Sequence, residues 1–249
     1  MRTLLNWKRI LALLLLILLL AAGGFFVWAN TPLPAASEAL AALESDDQIE
    51  VTQQNGWYVF NAWGQTPTTG FIFYPGGRVD ARAYASHLRA IAAQGYRVVL
   101  VPMPLNLAIF GLNAASDVVK AFPEIQHWAV GGHSLGGAMA ARFVQGNPGV
   151  VQGLILWASY PDIDLSQSGI RAVSIFGTND AVAQRGTIES SVSRLPADAQ
   201  FVPIEGGNHS QFGWYGLQPG DNVPGITPQE QQAAVVRATT DLLALLTES

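Results

Sequence analysis

The pattern of apolar and polar positions divides the chain into two parts. Residues 10–29 form an unbroken uncharged run that is dominated by leucine. Twenty residues in a helix span roughly 30 Å, the thickness of a bilayer core, so this run predicts a transmembrane helix. After it, short β-rich apolar runs alternate with segments of helical periodicity. That alternation predicts an α/β domain with a mostly parallel sheet and helices on both faces.

Eight β-rich runs predict the strands of this sheet. The first two flank Asn55-Gly56, which is a strong hairpin turn signal. Most of the others are continuous apolar runs, as is typical of buried parallel strands. The predicted strands are 49–52, 57–63, 70–74, 97–101, 127–131, 153–158, 172–176 and 201–204, and the predicted helices are 81–93, 115–122, 134–145 and 227–246.

The residues around the N-terminal apolar run predict its orientation. Basic residues (Arg2, Lys8, Arg9) precede it and four acidic residues follow it within about twenty positions, so the positive-inside rule places the rest of the chain outside the cytoplasm. The apolar region of a cleaved signal peptide is normally about 7–15 residues long, which favours a retained signal anchor here. Val27-Trp28-Ala29 fits a cleavage site, so a secreted protein stays open as the alternative. We therefore predict an anchor at 1–30, a linker at 31–48 and one domain at 49–249.

Charge and cysteine content exclude several classes of function. The net charge is −5, and three of the 13 basic residues precede the apolar run, which leaves 10 basic against 18 acidic residues for the rest of the chain. This balance argues against nucleic acid as a partner, because nucleic acid needs a basic surface. The absence of cysteine excludes disulfides, thiolate catalysis and cysteine-bound metals.

A glycine-rich segment carries the strongest catalytic motif. Gly132-His133-Ser134-Leu135-Gly136 follows a predicted strand and opens a predicted helix. Gly-x-Ser-x-Gly in this context is the pattern of a nucleophile elbow, in which a strained turn exposes the serine hydroxyl. Ser134 is therefore the candidate nucleophile. The Leu135 N–H, at the N-terminus of the helix, is a candidate donor to an oxyanion.

These motifs resemble those of serine hydrolases with the α/β-hydrolase fold, and among them the small capless members related to dienelactone hydrolase. The resemblance covers about residue 70 to the C-terminus. It implies an eight-stranded α/β-hydrolase fold without a sizeable cap, a Ser-His-acid triad, and no cofactor or metal. Dienelactone hydrolase itself uses a cysteine where this chain has Ser134. The residues that carry the resemblance are Tyr74-Pro75-Gly76-Gly77, Gly132 to Gly137, Gly177-Thr178-Asn179-Asp180 and Gly207-Asn208-His209.

The order of residues in this family is nucleophile, acid, histidine. Of the four histidines, only His209 follows both a late strand and a candidate acid, so His209 is the candidate base. Asp180 follows the predicted strand 172–176, which places its carboxylate at the edge of the sheet where such sites lie. Asp162 and Asp164 follow the preceding strand and stay open as alternative acids.

The second oxyanion donor is expected in the loop after strand 70–74. By resemblance, the Gly77 N–H is the first choice and the Arg78 N–H the second. Only about a dozen residues separate strands 153–158 and 172–176, which leaves no room for a lid and predicts an open, shallow cleft. The apolar loops 102–110 and 212–217 either line a pocket there or cover the sheet.

Taken together, the residues and the resemblance predict a hydrolase of carboxylic esters that works through an acyl-enzyme. The expected partners are a small-molecule acyl substrate and, through the N-terminal helix, a membrane. Two alternatives stay open: a catalytically silent binding module tethered to the membrane, and an acyltransferase that uses the same triad.

Overall fold

A single eight-stranded sheet organises the computed structural model, which describes residues 7–247. The strand order is β1-β2-β4-β3-β5-β6-β7-β8; β2 pairs antiparallel with β1 and β4, and all other pairs are parallel. The predicted mostly parallel sheet is confirmed. The strands are β1 (Ile49–Gln54), β2 (Trp57–Ala62), β3 (Thr69–Tyr74), β4 (Arg97–Leu100), β5 (His127–His133), β6 (Gly153–Trp157), β7 (Arg171–Gly177) and β8 (Gln200–Ile204).

Helices cover both faces of the sheet, as predicted. Successive residues of β3 alternate between two apolar cores: Phe71 and Phe73 face one, and Ile72 and Tyr74 face the other. Helices α3 and α7 fill the first core, and α4 and α5 the second. The helices are α1 (Trp7–Ala29), α2 (Ser37–Ala41), α3 (Ala85–Ala92), α4 (Ala114–Ala121), α5 (Leu135–Gly146), α6 (Arg185–Ser190) and α7 (Pro228–Leu245).

Local sequence signals explain several of these boundaries. The β1–β2 hairpin turns at Asn55 and Gly56, whose φ angles of 53° and 81° are both positive, as a two-residue hairpin of the type I′ class requires. Helix α7 begins with a capping box, in which Thr227 accepts the Glu230 N–H and Glu230 accepts the Thr227 N–H. The predicted helix 81–93 differs in detail, because its first turn is the 3₁₀ helix Ala81–Tyr84.

The N-terminal helix α1 is long and apolar enough to cross a membrane. Most of its side chains are exposed, but Ala29 at its end is fully buried against the rest of the chain. The segment after it also packs on the domain: Leu33 pairs with Val79, and Ala39 of α2 is buried. The described residues do not include Arg2 or the outer ends of the predicted segments 1–30 and 49–249. The predicted boundaries between the segments stay predictions.

The carboxyl ends of the parallel strands form one edge of the sheet, and the connections at that edge are short. Residues 158–170 join β6 to β7 without a helix or strand, so no cap covers the edge at this point, as predicted. The loops that follow β3, β5, β7 and β8 all leave from this edge. These loops carry Ser134, Asp180, His209 and Gly77, so all four residues lie at the same edge of the sheet.

Candidate active site

Ser134 occupies a strained turn between β5 and α5. Its φ and ψ are 51° and −120°, a region that residues with a side chain rarely adopt. Two hydrogen bonds hold this conformation: the Ser134 N–H donates to the Trp157 carbonyl over 2.9 Å, and the Ser159 hydroxyl donates to the Ser134 carbonyl over 2.7 Å. The Ser134 side chain is half-buried. The predicted elbow geometry is thus present, and Ser159 is a supporting residue that the sequence analysis did not identify.

The two glycines of the motif are there because β3 passes close behind the turn. A Cβ atom at position 132 would lie 2.3 Å from the Tyr74 carbonyl oxygen, and one at position 136 would lie 2.1 Å from the same oxygen. These distances are far below van der Waals contact with a backbone atom that cannot move away. Glycine at both positions lets strand, turn and helix approach closely enough to present the serine.

His209 and Asp180 form a buried pair. The His209 Nδ1 lies 2.8 Å from Asp180 Oδ2, and the side chains are 1% and 0% exposed. The other carboxylate oxygen of Asp180 accepts the N–H groups of Val182 and Ala183, each over 2.7 Å. An ionised carboxylate only accepts hydrogen bonds, so with Asp180 in that form the contact needs the proton on Nδ1, which leaves the lone pair of a neutral ring on Nε2. This is the tautomer that a general base needs.

The His209 Nε2 atom is free for such a role. It is buried and has no hydrogen-bond partner among the described residues, so the hydrogen bond to the Ser134 hydroxyl is not formed. The His209 ring nevertheless packs beside His133, the residue that precedes Ser134, with 4.4 Å between ring centroids. Long or unformed nucleophile–base contacts are common in enzymes without substrate.

The alternative acids point elsewhere. Asp162 forms an ion pair with Arg142, and its side chain is 45% exposed. The Arg142 guanidinium lowers the pKa of Asp162. Asp164 accepts the Ser166 N–H over 2.9 Å, and that hydrogen bond lowers the pKa of Asp164. Of the three aspartates, the structure places only Asp180 against His209.

The loop that carries His209 is fastened by residues that the sequence analysis passed over. The fully buried Gln231 of α7 accepts the Asn208 N–H over 3.0 Å and donates to the Asn208 carbonyl over 2.8 Å. Asp221 accepts the Ser210 N–H over 2.8 Å and the Ala181 N–H over 3.2 Å. Asp221 therefore ties the segment after His209 to the segment after Asp180. A lone glutamine on a helix and an aspartate in a loop give no sequence signal for this role.

His133 and Tyr84 connect the elbow to the loop after β3. The Tyr84 hydroxyl accepts the Gly76 N–H over 3.0 Å and forms a hydrogen bond of 2.8 Å with His133 Nδ1. Burial, with the neighbouring His209 and His87, lowers the pKa of His133 well below its ordinary value. In a neutral His133 ring, Nδ1 can accept a hydrogen bond from the Tyr84 hydroxyl. His133 is therefore held as part of the framework behind Ser134.

The residues that carry the two predicted oxyanion donors pack against each other. A Cβ atom at Gly77 would sit 3.0 Å from Leu135 Cδ2 and 3.5 Å from Leu135 Cβ. Leu135 is the first residue of α5, so its N–H has no partner within the helix. The Gly77 N–H makes no hydrogen bond within the described residues, whereas the Arg78 N–H donates to the Asn106 carbonyl over 2.8 Å. Between the two predicted alternatives, the Gly77 N–H is the one available to a ligand.

The end of helix α1 contacts this loop. The Arg78 guanidinium donates to the Trp28 carbonyl and to the Thr31 carbonyl, each over 2.8 Å, and stacks over the Trp28 ring at 4.4 Å. The Asn106 amide donates to the Ala29 carbonyl over 2.9 Å. The last carbonyls of a helix lack partners within it, so Arg78 and Asn106 cap α1. No pattern in the sequence predicts this link.

A cleft of about 430 Å³ opens beside Ser134. Its walls come from the start of α5 and from the segments after β6 and β7, including Met139, Tyr160 and Val182. The cleft is open to solvent, in agreement with the absence of a cap. Neither predicted lining loop borders this cleft: residues 102–110 are not among its walls, Phe212 is fully buried, and Trp214 and Leu217 border a separate cavity near α2. No three His, Asp or Glu side chains within residues 7–247 are grouped so that they could hold a metal ion.

Comparison with known proteins gives one family and many similar folds. The model of the alpha/beta hydrolase family matches residues 70–233. Est1E from Butyrivibrio proteoclasticus superposes with a TM-score of 0.56 at 11% identity, over 79% of this chain and 99% of that one. A predicted CIB-like hydrolase from Thermoplasma acidophilum gives 0.57 at 16% identity, over 78% and 98%. No curated protein matches the chain. At these identities the structures establish the shared fold.

Proposed function

Because the chain belongs to the alpha/beta hydrolase family, we propose that it is a serine hydrolase that cleaves carboxylic esters. In this proposal Ser134 is the nucleophile, His209 the general base and Asp180 the acid that orients it. The observation that carries the proposal is the buried 2.8 Å contact between His209 Nδ1 and Asp180 Oδ2, beside the elbow that presents Ser134. Its relation to dienelactone hydrolase in particular stays a prediction.

The proposed reaction follows from these positions. Substrate binding brings the Ser134 hydroxyl to the free Nε2 of His209, which takes the proton as the oxygen attacks the ester carbonyl. The tetrahedral oxyanion accepts the N–H groups of Leu135 and Gly77. His209 then gives the proton to the departing alcohol, and the acyl group stays on Ser134. Water, activated by His209, releases the acid and restores the hydroxyl.

We also propose that α1 stays in the mature protein as a membrane anchor, with the hydrolase domain outside the cytoplasm. Cleavage after Ala29 would remove the Trp28 and Ala29 carbonyls, which Arg78 and Asn106 bind. It would also remove Ala29 itself, which is fully buried. If the domain lies outside the cytoplasm, protease added to whole cells should degrade it. In cells with an outer membrane, that membrane is opened first. A full-size domain that stays in the soluble fraction after lysis would contradict the anchor.

A series of p-nitrophenyl esters from acetate to palmitate, given to the full-length protein in detergent, tests the activity. We expect release of p-nitrophenol with a preference for one range of chain length. Ser134→Ala should lower turnover by at least about four orders of magnitude, because the proposed acyl-enzyme forms on the hydroxyl that this change removes. Ser190→Ala, at an exposed serine of α6, is the matched control. Equal turnover in Ser134→Ala and the wild type would refute the assignment of Ser134 as the nucleophile.

A further inference from the structure

The candidate site and helix α1 are joined through one short segment. Arg78, which directly follows the proposed oxyanion donor Gly77, binds the carbonyls at the end of α1. Asn106 binds both sides of this junction, since its carbonyl accepts the Arg78 N–H and its amide donates to Ala29. The loop that carries the proposed oxyanion donor is thereby fixed beside the end of α1.

The loop next to this junction is apolar and exposed. Ile109 and Phe110 belong to the 3₁₀ helix Ala108–Phe110, and each is 49% exposed. The Phe110 ring lies 6.5 Å from the ring of Phe25 in α1. On the inner side of the same loop, Leu107 reaches the segment at Gly77, where a Cβ atom would meet Leu107 Cδ2 at 3.6 Å. One loop therefore contacts the proposed oxyanion segment on one side and α1 on the other.

The charge pattern singles out the same loop. No Asp, Glu, Lys or Arg occurs from residue 98 to residue 116, although the chain from residue 31 onward holds 10 basic and 18 acidic residues. An exposed apolar surface without charge does not fit an ionic protein partner. It does fit the boundary between headgroups and acyl chains of a lipid bilayer.

The contact with Phe25 sets the depth of this loop. Phe25 lies four residues before Ala29, so it is about 6 Å from the end of α1 along the helix axis. When α1 spans a bilayer, its last turn lies in the interfacial layer, where tryptophans such as Trp28 are enriched. The Phe110 ring, 6.5 Å from the Phe25 ring, then lies near the boundary between the headgroups and the acyl chains.

We propose that Ile109 and Phe110 rest in the lipid surface and that the site takes its acyl ester substrate from the bilayer. This inference rests on the proposed function, because it names the source of the substrate for the same Ser134 site. The bilayer supplies the ester close to the Ser134 cleft, so the substrate class is membrane-resident esters of fatty acids rather than esters dissolved in water.

The membrane contact is tested without turnover. The chain has no cysteine, so Phe110→Cys in the full-length protein accepts a single environment-sensitive fluorophore. In phosphatidylcholine vesicles we expect brominated lipids to quench the label at position 110. Val192→Cys is the matched control, because Val192 is similarly exposed (48%) but lies in the segment that leads into the opposite, amino-terminal end of β8. Quenching that is absent at 110, or equal at both positions, would overturn the membrane contact.

The source of the substrate is tested by kinetics on two esters. The double variant Ile109→Ser/Phe110→Ser should lower kcat/KM about tenfold for p-nitrophenyl palmitate held in vesicles, because the apolar contact with lipid is lost. For dissolved p-nitrophenyl butyrate, kcat/KM of the double variant should stay within about twofold of the wild type. The control Val192→Ser should stay within the same limit on both esters. An equal loss on both esters, or no loss on either, would overturn the inference. A wild type that cleaves neither ester would refute the proposed function, while the quenching experiment would still decide the membrane contact.

Discussion

The two halves of the candidate site are held in different ways. The Asp180–His209 half is fastened within the domain, by Gln231 of α7 and by Asp221, which connects the two loops. The half formed by Gly77 and Leu135 is braced partly from outside, because Arg78 and Asn106 bind the end of α1. The proton-transfer groups thus depend on the core of the domain, whereas the proposed oxyanion loop depends also on the N-terminal helix.

This difference separates two kinds of sensitivity. Damage to the first half should remove catalysis and leave the link to α1 intact. Damage to the link should shift the proposed oxyanion donors by a small distance and leave the His209 pair intact. Because oxyanion donors act mainly in the transition state, the second kind of damage should lower kcat more than it changes KM.

The largest effect is expected at the base. His209→Ala should lower kcat by about six orders of magnitude on a soluble ester, because the nucleophile then has no group to take its proton. His127→Ala, at a half-buried histidine that begins β5, is the control and should stay near the wild type. Steady-state kinetics on p-nitrophenyl butyrate measure both. Near-normal turnover in His209→Ala would remove the base assignment.

The next effect concerns the acid. Asp180→Asn should lower kcat by about four orders of magnitude, since an amide cannot stabilise the imidazolium and favours the wrong tautomer. Asp162→Asn breaks only the exposed ion pair with Arg142 and should stay within about threefold of the wild type. The reverse ranking of these two variants would show that the acid lies in the β6–β7 loop.

The link to α1 should have a smaller effect. Arg78→Met removes the bonds to Trp28 and Thr31 but keeps the length of the side chain, and we expect kcat to fall about tenfold with KM nearly unchanged. Arg82→Met is the control, because Arg82 pairs with Asp80 and does not contact α1. A change in KM alone, or equal kinetics in both variants, would show that α1 does not position the oxyanion loop.

The smallest effect is on stability against acid. Burial lowers the pKa of His87 to about 3 from its ordinary 6.5, so below about pH 6.5 the unfolded chain binds a proton that the folded chain does not. Stability therefore falls as the pH drops from about 6.5 towards 3, by up to about 1.4 kcal/mol per pH unit for this residue. Thermal unfolding at pH 7 and pH 5 should show a smaller loss in His87→Leu than in the wild type. An unchanged loss would mean that His87 is already protonated when folded.

The strands were predictable because buried parallel strands are continuous apolar runs, so strand 70–74 differs from β3 by a single residue. Helix α6 was missed because its six residues bury only Ile188 and so show no apolar face. The elbow was predictable from its glycines, whose reason is local crowding by β3. The hydrogen bonds from Arg78 to the end of α1 and the segment after it could not be predicted, because they join a side chain to backbone carbonyls 50 and 47 residues away.

Activation of Ser134 by the His209–Asp180 pair can be tested by covalent labelling. A fluorophosphonate probe reacts with a serine whose proton a base can take, and the modified peptide can be sequenced by mass spectrometry. We expect one phosphonylated residue, Ser134, with labelling absent in Ser134→Ala and strongly slowed in His209→Ala. Labelling that persists in Ser134→Ala, or that maps to another serine in the wild type, would contradict it.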